Sequence, residues 1–314
     1  MELMFNEHSI NGAALDIESA KACMFIFAKT VHTASKYGID AIVRINHNFW
    51  NEHLTPGYSL LKWKADHTVD KELIRRIKSY TVGAPFIEDI LSRCEDNGSK
   101  LAEFKCHGKI CIGLGAAFMT NSPAVSMNNK EWSKDPLDVS CSYLSDEGDA
   151  ISAEKVCNFC TPVQVGLRQT WIHEHLENEL TSGERILLRS NAILNHIQFT
   201  TNSRKQLSEL TGNEKVFLFV VKHLIALNAQ CVNWHEGNFV NGYKFPCTEE
   251  SKPTMAKYGD YRKFILDDGR EVSFTWHSKI NVDKWRIYFL HNASTNMIII
   301  PYIGKHLPTV ENPT

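Results

Sequence analysis

The sequence predicts an α+β fold: an N-terminal mixed sheet with helices over residues 1–150, a helical region over 151–250, and a C-terminal antiparallel β meander over 251–314. Three observations carry this. The opening residues switch from a strand pattern to a helical one and back. Between 183 and 229 apolar residues recur at helical spacing. Beyond residue 260 come four aromatic and β-branched runs: Phe264-Ile265-Leu266, Ser273 to His277, Trp285 to Phe289 and Asn296 to Ile303. Turn signals at Asp268-Gly269 and from Asn292 to Asn296 separate them, as in a small antiparallel sheet.

Taken in order, Leu3-Met4-Phe5 reads as a short strand. Asp16 is an N-cap, and Ala20, Cys23, Met24, Phe27, Ala28, Val31 and Ala34 form a helical stripe that Gly38 stops. Residues 41–46 and 58–63 alternate like strands, with Thr55-Pro56-Gly57 as a turn. Asp70 caps a basic amphipathic helix with Leu73, Ile74, Ile77 and Tyr80 inward; Pro85 interrupts it, and the pattern resumes through Cys94. A three-strand meander is expected at 101–106, 110–119 and 124–127. Gly113 and Gly115 fall inside its apolar middle run. A phosphate-binding loop needs a strand that ends at the glycines and a helix after them, so here they are expected to allow a bulge or close packing. The polar, acidic stretch 128–165 reads as surface connections with short strands. Helices are expected at 183–200, 203–210 and 216–229, the last apolar on most faces and therefore buried.

The bulk numbers exclude several classes. Hydrophobic content of 43% and charged content of 22% over 314 residues are those of a globular protein with more than one core. A net charge of −2 argues against a surface that is a nucleic-acid footprint throughout, though not against a local basic cleft. The nine cysteines are scattered, and Met1-Glu2-Leu3 has no basic n-region, so reduced thiols and a cytoplasmic location are expected. The longest apolar runs fall far short of the roughly 20 residues that cross a bilayer.

Candidate chemistry concentrates in the C-terminal strands, where His277, Lys279, Lys284, Arg286, Tyr288, Lys305 and His306 lie among aromatics. The run Lys284 to Phe289, a turn, then Met297 to Ile300 and Gly304-Lys305 resembles the last strands of RelE/ParE-type toxins. That resemblance implies an arginine-bearing strand paired with an apolar strand that ends in a basic residue, and RNA cleavage without metal or cofactor. Attack by a 2′-hydroxyl needs a proton acceptor, a proton donor and cations for the transition-state charge. Arg286 and Lys305 are expected to clamp phosphate, with His277, Tyr288 or His306 handling protons and Lys279 and Lys284 in contact with nucleic acid. Arg75 and Arg76, opposite the apolar stripe of their helix, are further nucleic-acid candidates. As a whole the chain resembles uncharacterised bacterial proteins found beside phage-defence and toxin genes, on Phe5-Asn6-Glu7, Gly113 to Ala116 and the tail from Trp285 to Leu307. The basic aromatic sheet and its toxin-like tail make RNA, before DNA, or a partner protein of a defence complex the expected partner, and the near-neutral charge, mixed composition and lack of a strict catalytic motif leave a non-catalytic binding or scaffold subunit as the alternative.

Three weaker constellations stand beside it. Glu103-Phe104-Lys105, with Asp89 or Asp96 as the earlier acid, imitates the metal-binding triplet of PD-(D/E)xK nucleases. Cys157 and Cys160, followed by His173 and His175, imitate a zinc site, except that the histidines are too close in sequence. Arg189 and His196 fit the loose R-x₄₋₆-H pattern of HEPN ribonucleases, which puts both on one helix face.

Overall fold

The computed structural model describes residues 1–81, 85–96, 102–145 and 148–313. The chain is α+β, and it divides into two compact units, Met1–His173 and Glu174–Thr314, rather than three.

The first unit opens with β1 (Leu3–Phe5), α1 (Ile17–Lys36) and β2 (Val43–Arg44). Asp16 caps α1 in a reciprocal pair of hydrogen bonds with Ser19, and the helix buries the predicted stripe from Ala20 to Ala34. β1 and β2 are parallel, with Leu3 opposite Val43, so the opening is a β-α-β unit. Then come β3 (His53–Thr55), β4 (Tyr58–Ser59), α2 (Leu60–Ala65), α3 (Lys71–Tyr80) and α4 (Ile87–Asp96). The strand expected at 58–63 stops at Ser59, whose hydroxyl accepts from the Lys62 amide and starts α2, with Leu60 and Trp63 buried on one side.

After β5 (Ala102–Cys106) and β6 (Lys109–Ile110) comes the main departure from the sequence reading. Residues 112–119, expected as a strand, form α5 (Ile112–Met119). Its first amides are capped from a distance: the Glu7 carboxylate accepts from Ile112 N at 2.7 Å and Gly113 N at 2.9 Å. The glycines serve close packing. A Cβ at Gly113 would lie 1.9 Å from the Phe5 carbonyl oxygen, and one at Gly115 2.5 Å from the Phe104 ring. β7 (Ala124–Val125) therefore follows a helix and joins β1 in parallel instead of closing a meander. The acidic stretch holds β8 (Leu137–Ser145) and β9 (Gly148–Val156), a long antiparallel hairpin rather than short connections. β10 (Asn158–Phe159), α6 (Pro162–Leu167) and α7 (Gln169–Asn178) follow, and the boundary between the units falls within α7. Two four-stranded sheets result: parallel β10-β7-β1-β2 and antiparallel β6-β5-β8-β9.

The second unit contains α8 (Gly183–Ile193), β11 (Ile197–Phe199), α9 (Thr201–Ser208), α10 (Phe217–Asn233), β12 (Cys247–Glu249) and α11 (Lys252–Tyr258). It ends with β13 (Lys263–Ile265), β14 (Glu271–Ser273), β15 (Trp276–Ile280), β16 (Trp285–Asn292) and β17 (Met297–Lys305). The helix expected to reach residue 200 ends at Ile193, and Ile197 enters a strand parallel to β17. The sheet runs β11-β17-β16-β15-β12, so the "helical region" contributes both edge strands. The segment 151–250 is thus divided between the two units. The predicted turns at Asp268-Gly269 and Asn292–Asn296 form, but β13 and β14 make their own two-stranded ribbon. Leu266, Phe274 and Tyr288 are a buried cluster, with Phe264, Val272, Ile299 and Tyr302 packed on it. α10 packs against β15 and β17, yet Leu218 remains 55% exposed, so it is not buried all round.

Candidate functional site on the C-terminal sheet

Strand register decides which candidates meet. Residues opposite each other on antiparallel strands share a face, and neighbours along a strand do not. His277 lies opposite Thr248 on one side and Tyr288 on the other, and Tyr288 lies opposite Tyr302. One rung along, Lys279 is opposite Arg286, and Arg286 is opposite Gly304. Thr248, His277, Lys279, Arg286, Tyr288 and Tyr302 thus share a face. Lys305 pairs with Trp285 and belongs to the other face. The Arg286–Lys305 phosphate clamp is not formed, because the two residues are out of phase by one position in a pattern of period two. Lys279 stands beside Arg286 in its place.

The hub of this face is Glu250, just after β12. Its Oε1 accepts from Tyr288 OH at 2.6 Å and from Arg262 Nη2 at 3.0 Å and Nε at 3.2 Å. Burial pushes its carboxyl up, but the Tyr288 and Arg262 bonds outweigh that and hold it below the ordinary value. Arg262 is fully buried and also donates to the carbonyls of Pro308 and Leu307, which ties the chain end to the hub. His277 Nδ1 is 3.6 Å from Glu250 Oε1 and has no hydrogen-bond partner, whereas Nε2 is 3.3 Å from Thr248 Oγ1. A lone pair on Nδ1 would face a carboxylate. The favoured tautomer therefore carries its proton on Nδ1, with the Thr248 hydroxyl donating to Nε2. Burial lowers the His277 pKa to about 4 despite the raising effect of Glu250, so the ring is neutral at pH 7.

Around this hub the charges are positive. Arg286 Nη1 donates to the Trp285 carbonyl at 2.8 Å, while its buried Nε has no partner. Burial pushes its pKa down. His306 is lowered by burial first and then by Arg286. Lys279 is directly opposite Arg286. By register the two cations are cross-strand neighbours, a pairing that disfavours the empty face, while Glu250 is the anion that acts on Arg286 from within the fold.

Apart from Tyr288, the other candidates lie away from this cluster. Tyr288 is in it, but its hydroxyl is committed to Glu250 and its pKa is pushed far up by burial and that bond. Lys284 is exposed in the turn before β16. Arg75 and Arg76 are exposed on α3, about one turn from Glu72 at 3.9 Å. Glu103 and Lys105 pair with each other on β5, and Asp89 accepts from the Phe86 amide at 2.9 Å as a helix cap. The Asp96 side chain lies outside the described residues. Cys157 and Cys160 are buried, and His173 and His175 sit two positions apart on α7, which turns them to different sides. Among the described residues no cluster of three His, Cys, Asp or Glu side chains could hold a metal. Arg189 donates to Glu179 at 2.8 Å, and His196 has left the helix, its Nδ1 3.0 Å from the Asn296 carbonyl. The one-face helical pair does not exist.

Glu250, Arg262 and Thr248 are the site residues that the sequence reading misses. They lie in what reads as a linker punctuated by Pro246 and Pro253. The available signal is the Thr248-Glu249-Glu250 triplet, alternating before an N-capping Ser251. All nine cysteines are free, and among the described residues no helix is long and apolar enough to cross a membrane. Set against known proteins, the chain matches no family model, no curated protein and no solved structure.

Proposed function

We propose that the C-terminal unit is a nucleic-acid-directed effector: a ribonuclease that cleaves by attack of the 2′-hydroxyl, with side chains supplying the cations. The observation that carries this is the Lys279–Arg286 like-charge pair beside a neutral histidine backed by a carboxylate. A phosphodiester between Lys279 and Arg286 relieves their repulsion and takes up the unpartnered Arg286 Nε. His277 Nε2 receives the 2′-hydroxyl proton, and the imidazolium so formed is stabilised by Glu250 across Nδ1–H. The 2′-oxygen bonds to phosphorus as the bond to the 5′-oxygen breaks, and that oxygen takes its proton from water or from the imidazolium form of His306, a minor form at pH 7 because burial and Arg286 lower its pKa. The products are a 2′,3′-cyclic phosphate and a 5′-hydroxyl. His277 is 4% exposed, so the substrate hydroxyl displaces that of Thr248 to reach it.

The test is cleavage of end-labelled single-stranded RNA in EDTA. The wild-type chain should leave cyclic-phosphate ends. Arg286→Ala should lose about 10²- to 10³-fold in rate, and His277→Ala about 10²- to 10⁴-fold. Arg75→Ala, on a solvated face, should be unaffected. Cleavage abolished by EDTA, or undiminished in both site variants, would sink this reading.

One observation favours a second reading, in which the face binds RNA without cutting it. Glu250 already holds Tyr288 and Arg262, and Tyr288 is fully buried. RNA binding that depends on Arg286, with no cleavage under any condition, would select that reading, which suits a subunit of a larger complex.

A further inference from the structure

The opposite face of the same sheet carries an open, solvent-facing pocket that takes no part in the chemistry above. It measures about 620 Å³ and is lined by Glu214, Lys215, Val216, Asp283, Lys284, Trp285 and Lys305. That volume falls in the range of about 300–1,000 Å³ usual for small-molecule sites. Three lysines from three separate segments converge on it: the loop before α10, the turn before β16 and the end of β17. None of the three is in an ion pair among the described residues. Glu214 and Asp283 offset two of these charges and leave the lining with a net charge of +1; the Glu214 carboxylate accepts from the Thr211 amide at 2.9 Å.

The backbone is arranged to keep the cations there. Asp283 and Lys284, with φ of 51° and 56°, are consecutive non-glycine residues in the left-handed region. The Lys284 carbonyl accepts from the His306 amide at 2.9 Å, which fixes the turn against the strand end. Trp285 directly follows, opposite Lys305, and offers a half-buried indole on the pocket wall. α10 begins beside it at Phe217, with Val216 as an N-cap that makes no side-chain bond and no acidic residue in its first turn, so its positive end adds to the same field.

We infer that this pocket binds a nucleoside phosphate, the base against Trp285 and the phosphate among Lys215, Lys284 and Lys305. An indole face attracts any base, and ammonium groups hold phosphate as point charges. The shared chemistry is one nucleotide unit, either a free mononucleotide or one residue of a single-stranded RNA. The inference does not depend on phosphodiester cleavage at the other face.

The test is calorimetric titration of the full chain with AMP, adenosine, inorganic phosphate and a 2′-O-methyl hexanucleotide, which lacks the attacking hydroxyl. AMP or the hexanucleotide should bind, with adenosine and phosphate each at least tenfold weaker. Lys284→Glu with Lys305→Glu, both exposed positions that should fold normally, should weaken the bound probe at least tenfold. Trp285→Leu should weaken it without changing the response to phosphate. AMP binding as well as the hexanucleotide identifies a free-nucleotide site, and binding of the hexanucleotide alone identifies a subsite for single-stranded RNA. No binding of either probe, equal binding of phosphate and AMP, or no loss in the double-lysine variant would overturn the inference.

Discussion

At the scale of single residues, the absence of one methyl group at Gly113 decides how α5 meets β1. A Cβ there would lie 1.9 Å from a backbone oxygen, whereas at Gly115 it would meet the edge of a phenylalanine ring. Backbone cannot yield as a side chain can, so the two alanine variants should differ. Gly113→Ala is expected to cost about 3 kcal/mol or more, and Gly115→Ala about 1–2, within the range for overpacking. Urea unfolding midpoints check this, and equal losses would show that α5 shifts as a body. Tyr288→Phe is a second case. It removes one of the donors to buried Glu250 and leaves Arg262 in place. A hydrogen bond to a charged group contributes about 1.5–3 kcal/mol, so a loss of that size is expected, together with a rise in the Glu250 pKa readable by carbon-13 NMR. Of these residues the sequence announces the glycines and the Asp16 cap, whose partners lie three positions away. Glu250 is silent, because its partners Arg262 and Tyr288 are distant in sequence.

At the scale of elements, β16 alternates two jobs along its length, Arg286 to one face and Trp285 to the other. The strand itself is legible as an aromatic, β-branched run between turns, and so are α1, α3 and the hairpin turns. What is not legible is any element whose start is set by a remote group. α5 reads as strand because its amides are capped by Glu7, far away in the chain, and β12 hides in a proline-marked linker because it pairs with β15, nearly thirty residues on. The phosphate clamp drawn from the sequence fails for a related reason: register, which period alone does not supply, separates Arg286 from Lys305. The pair that does form yields a prediction. Lys279→Gln removes one of two opposed cations and should raise stability by about 0.2–1 kcal/mol, while RNA affinity falls and its salt dependence becomes shallower by about one phosphate contact. Denaturation and binding at several salt concentrations check both halves. A loss of stability would mean that Lys279 has a partner in the fold and that the face is not built for an anion.

At the scale of the molecule, two buried imidazoles make the C-terminal unit sensitive to acid. His277 and His223 are both held at about pKa 4 by burial. His223 is stacked on Phe245 at 3.9 Å, with Nδ1 2.7 Å from Ser278 Oγ. An unfolded histidine titrates near 6.5, so between about pH 6.5 and 4 the unfolded chain binds protons that the folded unit refuses. Stability from each ring is therefore complete above pH 6.5 and falls as pH drops toward 4, by up to roughly 3 kcal/mol per ring. Glu250, depressed below its unfolded value, adds a loss at still lower pH. Glu7 in the N-terminal unit has the opposite sign. Burial raises its pKa, so its contribution is complete below about pH 4.5 and fades as pH rises. Urea unfolding from pH 7.5 to 4.5 should show a steep loss that His223→Gln and His277→Gln each flatten; an unchanged slope in both variants would place the acid sensitivity elsewhere. The same burial sets the expected rate profile. If His277 takes the 2′-hydroxyl proton, the acid limb of kcat/KM should fall near pH 4 and not near 6.5, because only the neutral ring accepts a proton. A limb near 6.5 that survives His277→Gln would assign the base to another group and leave the buried histidine as a packing residue.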